Sequence, residues 1–123
     1  MAVDSGATET VIGAEMLSFL KLLEGQAFRR GVKYEVANVV RIPNLGEKKF
    51  EAVTEEGGIR EITAQVCDVN KPLLSVSKMV AAGNRVVFGP DGSYVEDVKT
   101  GEVVWLKEQG GMYMLKMWVK KGF

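Results

Sequence analysis

A mostly β fold with two short helices follows from three features of the sequence. Turn signals built on Gly, Pro, Asn and Asp recur about every 8–12 residues, the spacing of barrels and sandwiches. Between them apolar residues alternate over short runs, as strands with one buried face require. Helical periodicity is confined to two stretches, 15–24 and 77–82.

The elements follow in order. Ala2 and Val3 end a short strand that runs into Asp4. Residues 15–24 read as a helix: Met16, Phe19, Leu20 and Leu23 recur at helical spacing, and positions 15, 18 and 21 are polar. Leu17 and Leu22 extend its apolar surface beyond one face, which suits a packing or partner contact. Gly25 stops it, and 26–31 is a polar, basic loop. Residues 33–42 form a strand pair through Tyr34, Val36, Val39, Val40 and Ile42. After a turn at 43–46, strands at 49–54 and 59–69 meet across the turn Glu55, Glu56, Gly57, Gly58. Asn70, Lys71 and Pro72 break the second. Residues 73–76 are a short buried strand, and 77–82 a helix closed by Gly83 and Asn84. Strands at 85–88, 93–97, 102–107 and 112–119 follow, divided by glycine-bearing turns. There is no internal repeat or low-complexity tract.

The composition narrows the function classes. A chain of 123 residues suits one compact unit, and 46 % apolar residues suffice for a core without staples. The 16 basic side chains balance the 16 acidic ones. That balance argues against a dedicated nucleic-acid binder and against a polybasic membrane patch. Arg29, Arg30 and Lys33, and Lys120 and Lys121, read as solvated surface. No run approaches the roughly 20 apolar residues of a membrane span, and the N-terminus lacks a signal-peptide pattern. Cys67 is alone, so no internal disulfide forms, and a reducing, cytoplasmic setting is expected. Histidine is absent, which removes Ser-His-Asp and Cys-His catalysis and argues against a zinc site. Nothing points to a metal or organic cofactor. Cys67 lies in an apolar strand pattern and reads as a small buried hydrophobe.

One segment carries chemistry: Asp4, Ser5, Gly6, Ala7 and Thr8. The order acid, hydroxyl, glycine, small residue places a carboxylate on a tight turn within reach of a backbone N–H and a hydroxyl. The tripeptide alone is also what an ordinary Asx turn looks like. The segment resembles the active-site turn of aspartic proteases, and it occurs once. Asp68, Asp91 and Asp97 lack a following hydroxyl–glycine pair and are not read as second acids.

A second segment extends the resemblance. The run from Asn70 through Leu73, Leu74, Ser75, Val76 and Ser77, then Gly83 and Val86, Val87 and Phe88, resembles copia-type retrotransposon proteases. In these a similar strand precedes a helix, a glycine and a further strand. The stretch from Gly92 to Leu115 resembles the strand-rich segment that follows such a protease. The chain is therefore similar to the retropepsin-like protease of a copia-type polyprotein. With the motif starting at residue 4, it is expected to be a piece of a longer polypeptide.

The resemblance implies a closed β-barrel protomer (1–90) with extra C-terminal strands (91–123), and a symmetric homodimer with one active site. It implies that Asp4 is the catalytic carboxylate and that Ser5 locks the two active-site turns together. It gives Gly6 the turn, Ala7 the cleft wall and Thr8 the turn's end. Leu73, Leu74 and Ser75 become the strand beneath the turn, with Ser75 standing where viral relatives carry glycine. Ala37, Asn38 and Val39 become the flap tip over a peptide or polyprotein substrate. Val39 stands where copia-like sequences usually carry glycine.

The expected activity is aspartic endopeptidase, without a cofactor, and cleavage between bulky apolar residues. The rival is a non-catalytic retropepsin-fold dimerisation or interaction module. An intact Asp4-Ser5-Gly6 points to the enzyme, and the β-branched Val39 at the flap tip points to the module. A third reading, a β-rich binding domain unrelated to proteases, requires the match at 70–88 to be chance. Trp105, Tyr113 and Trp118 mark core or an added packing surface near the C-terminus.

Overall fold

The computed structural model describes residues 1–35, 41–69 and 71–119. Twelve strands and two short helices make up the described chain, so the mostly β expectation holds. Strands β1 (Ala2–Asp4) and β2 (Val11–Gly13) flank the acidic turn, and α1 (Gln26–Arg29) follows. β3 (Lys33–Glu35) and β4 (Arg41–Pro43) pair as a separate hairpin. β5 (Gly46–Thr54) and β6 (Ile59–Cys67) make the longest antiparallel pair. β7 (Leu73–Ser75) runs directly into α2 (Val76–Ala81). β8 (Asn84–Val87), β9 (Ser93–Asp97), β10 (Val103–Gln109) and β11 (Met112–Met114) form an antiparallel meander. β12 (Met117–Val119) returns to β5.

Apart from the hairpin, these strands join in one sheet, ordered β12-β5-β6-β2-β7-β1-β11-β10-β9-β8. Two pairs in it are parallel, β2 with β6 and β1 with β7. Sequence pattern follows position. In β5 burial alternates, as a strand with one core face requires. In β6 the alternation of the first half gives way to four consecutive buried residues, Ala64 to Cys67, where β2 joins its second edge.

Two apolar clusters fill the interior. One gathers Val3, Leu74, Val95, Val104, Leu106 and Leu115. The other gathers Ile12, Leu20, Phe50, Ala52, Ala64 and Val66. Met1, Ile62 and Met117 pack against both. Residues beyond 90 thus share a sheet and a core with β1 and β7. Among the described residues no helix is long and apolar enough to cross a membrane.

The helix expected over 15–24 is not formed. The segment is a series of turns, with Leu17 at φ 53° and hydrogen bonds that close three residues back: Met16 N–H to Gly13 O at 3.1 Å and Leu20 N–H to Leu17 O at 2.9 Å. The physical reason is Lys48. Its ammonium donates to Met16 O at 3.0 Å and Leu17 O at 2.9 Å. Those carbonyls would serve the N–H groups four residues on in a helix. Leu23 then pairs with Glu47 across a two-way bridge at 2.8 Å. Gly46 is required there, because a Cβ on it would meet Leu23 O at 2.6 Å and its φ is +136°. Helix α1 falls instead in the segment read as a polar loop.

The second helix sits where the sequence placed it, within one residue. The strand expected over 112–119 is two strands, because its first part pairs with β1, a ladder that Leu115 and Met1 continue, and its last part pairs with β5. Strand β2 was not anticipated.

Candidate active site

Asp4 ends β1 and is half-buried. Its strand is clamped on both sides. β7 pairs with it in parallel, setting Ala2 beside Leu73, Val3 beside Leu74 and Asp4 beside Ser75. β11 pairs with it antiparallel, setting Ala2 beside Met114 and Val3 beside Tyr113. The carboxylate therefore projects from a strand held from both edges.

The turn that follows is short and tied to the acid. Gly6 N–H donates to Asp4 Oδ1 at 2.8 Å. A Cβ on Gly6 would stand 3.3 Å from that same oxygen, a tight fit. Ser5, Gly6 and Thr8 are exposed, and Ala7 is half-buried.

Ser75 anchors the turn from below. It is fully buried, and its hydroxyl donates to Ala7 O at 2.6 Å. The same oxygen accepts from Lys78 N–H at 3.2 Å, which caps α2. Ser75 N–H donates to Thr10 Oγ1 at 3.1 Å. One side chain thus joins the acidic turn, β7 and α2. Replacing it by alanine removes the cap and a buried hydrogen bond together. Ser75→Ala is expected to lower stability by about 2 kcal/mol. Chemical denaturation checks this; an unchanged midpoint would show that the hydroxyl carries no weight.

The base of the β3–β4 hairpin is also tethered. Asn44, buried, donates to Tyr34 Oη at 3.0 Å and to Gln65 Oε1 at 2.8 Å, and its own oxygen accepts from Gly46 N–H at 2.9 Å. Burial pushes the Tyr34 phenol above its ordinary range, against the opposing pull of Asn44, so its hydroxyl stays protonated. The expected flap tip, Ala37, Asn38 and Val39, lies outside the described residues.

Two clefts adjoin the turn. One of about 360 Å³ is lined by Asp4 and Ser5 on one side and by Phe88, Met112 and Tyr113 on the other. A larger one of about 810 Å³ is lined by Thr8, Glu9 and Thr10, by Lys33 and Tyr34 of the hairpin, and by Lys78 and Met79 of α2. Lys78 meets Glu9 there at 3.3 Å, a solvent-facing pair of small energetic weight.

Chemically, the site offers one carboxylate with its Oδ1 engaged by a backbone N–H. Such a group can take or give a proton at a water molecule. Among the described residues, no cluster of three or more His, Cys, Asp or Glu is placed to hold a metal ion. Burial pushes the Cys67 thiol up, and the negative charge of Asp68 adds to this, so the group remains a protonated thiol at neutral pH.

The structure brings Asp4, Ala7 and Ser75 together, with Leu73 and Leu74 on the same strand as Ser75. Sequence reasoning missed Thr10, Phe88 and Met112. Thr10 sits two residues past Thr8, on the approach to a strand too short to leave a pattern. Met112 reaches the site through the β1–β11 strand pairing and Phe88 through its ring contact with Tyr113, and no local signal encodes either.

No protein-family model, no curated protein and no solved structure matches this chain.

Proposed function

We propose that the chain is one protomer of a homodimeric aspartic endopeptidase, retropepsin-like, of the kind that processes a copia-type retrotransposon polyprotein. The observation that carries this reading is the Asp4 turn. A half-buried carboxylate accepts from Gly6 N–H at 2.8 Å on a strand clamped between β7 and β11, with buried Ser75 bonded to Ala7 O beneath it.

Peptide hydrolysis by a water molecule needs one carboxylate to take a proton and a second to give one. Two carboxylates a few Å apart share a single proton, since both cannot ionise readily side by side. A chain with one such motif obtains the second acid from an identical chain, and a two-fold axis brings equal turns face to face. The titration then belongs to the pair of Asp4 side chains. In this reading the ten-stranded sheet is the wall of a barrel protomer. Ser5 meets its counterpart across the axis. Neither a cofactor, nor a membrane, nor nucleic acid takes part, and the setting is cytoplasmic.

The test is hydrolysis of an apolar peptide library at mildly acidic pH, with sedimentation of the same sample. The expected result is cleavage by a dimer, blocked by pepstatin, whose hydroxyl-bearing carbon mimics the tetrahedral intermediate. A folded dimer that cleaves no peptide overturns the reading in favour of a non-catalytic dimerisation module. Cleavage that pepstatin leaves untouched overturns it in favour of another mechanism.

A further inference from the structure

Strand β6 is paired on both edges for only part of its length. β2 joins its second edge at Gln65, Val66 and Cys67. Among the described residues no strand continues that pairing back toward Ile59. Burial records the gap: residues 64–67 are all buried, whereas 59–63 alternate between exposed and half-buried. Ile62 packs against both apolar clusters and still reaches solvent.

The free edge carries a defined set of main-chain groups. Gln65 N–H donates to Thr10 O at 2.8 Å, on the β2 side. Thr54 N–H donates to Gly58 O at 2.9 Å, on the β5 side. Alternate residues of a strand turn their groups to opposite edges. The N–H and C=O groups of Glu61 and Thr63 therefore point the same way as those of Gln65, away from β5, with no described strand to meet them. Both residues line the cleft of about 810 Å³, as do Lys78, Met79 and Ala82 of α2. Asp4 lies in the smaller cleft.

The same stretch carries a second unmet group. Arg60 stands opposite Ala52 and Ile62 opposite Phe50, two core residues, so both side chains share the inward face. Arg60 Nη1 donates to Ile59 O at 3.4 Å and to Glu102 Oε2 at 3.5 Å, both long. Arg60 Nη2 is buried and bonds nothing among the described residues. A buried donor left unpaired is unfavourable, the more so on a charged group. Arg60 also lines the larger cleft.

We propose that the β6 edge at Glu61 and Thr63 is a docking site for an extended segment of another polypeptide, which adds as a strand and sets an acidic side chain at Arg60 and an apolar one at Ile62. An unpaired sheet edge is a template for another strand. Here the edge groups recognise extended backbone, the guanidinium recognises a carboxylate, and Ile62 gains apolar cover. Side chains on one face of a strand are two residues apart. The segment therefore has its acid and its apolar residue separated by one position. This goes beyond the endopeptidase reading and does not depend on it.

The probe is a fluorescently labelled peptide, Thr-Ile-Thr-Glu-Thr-Ile-Thr, which shows Ile, Glu and Ile on one face in either strand direction. Binding to the full chain is read by anisotropy, and circular dichroism verifies each variant's fold. Gln for Glu in the peptide is expected to weaken binding about tenfold, and Arg60→Gln equally, with no further loss when the two are combined. N-methylation of one alternate set of peptide nitrogens is expected to abolish binding and of the other set to leave it, since one set faces β6. No binding at peptide on the order of 1 mM, or equal effects of the two methylated sets, overturns the added strand. Independent losses from the two Gln substitutions overturn the contact with Arg60. Displacement by pepstatin places the peptide at Asp4 and overturns a separate site. A peptide that splits a dimer of the chain assigns the edge to a second copy and overturns the choice of partner.

Discussion

If the chain is the proposed endopeptidase, Asp4→Asn is expected to lower kcat/KM for peptide cleavage by about three orders of magnitude and to leave the fold standing. The amide keeps the local geometry, because its oxygen still accepts from Gly6 N–H as Asp4 Oδ1 does at 2.8 Å. Asp4 is half-buried and carries no ion pair among the described residues, so little stability is at stake. The chemistry is another matter. An amide neither takes a proton from water nor shares one with a facing carboxylate. Steady-state cleavage and a thermal melt on the same sample separate the two effects. Cleavage that survives the substitution removes Asp4 from the mechanism.

Lys48→Met is expected to cost about 3 kcal/mol and to lower the melting midpoint by on the order of 10 °C. Lys48 is 4 % exposed, and its ammonium bonds the carbonyls of Met16 and Leu17 at 3.0 and 2.9 Å. No carboxylate pairs with it among the described residues. Methionine fills similar space but donates nothing, so Met16 O loses the lysine and Leu17 O keeps only Leu20 N–H. The relief of leaving no charge in the interior offsets part of this. Calorimetry measures the net result. A variant as stable as the wild type would show that the turns of 14–20 stand without the lysine.

This lysine also explains where the sequence misleads. Residues 15–24 carry helical spacing, yet the cation that claims their carbonyls comes from β5, about thirty residues later. Periodicity describes a segment in isolation, and a contact of that range is silent in it. The strands β5 and β6 were legible because each is long, half-buried and joined by a glycine turn. Helix α2 was legible because Ser75 and Gly83 mark its ends: the serine oxygen accepts from Lys78 N–H, and Gly83 takes φ +94°. Strand β2 was not, since three residues leave no alternation to read.

The site divides in the same way. Asp4, Gly6 and Ser75 are local signals, each with a chemical reason for its residue type. The pairing of Val3 with Tyr113 joins positions 110 residues apart and turns the C-terminal meander into the neighbour of the acid. A division of the chain near residue 90 follows from resemblance. The strand order and the shared core of Val3, Leu74, Val95 and Val104 draw on residues from both sides of that position.

Whether two chains supply one active site is tested most directly by mixing. Wild-type and Asp4→Asn chains are equilibrated at constant total concentration, and cleavage is measured against the wild-type fraction. If each dimer needs both Asp4 carboxylates, activity follows the square of that fraction and falls to about a quarter at equal amounts. A straight-line fall, with about half the activity left at equal amounts, would mean that each chain works alone and would contradict the shared dyad.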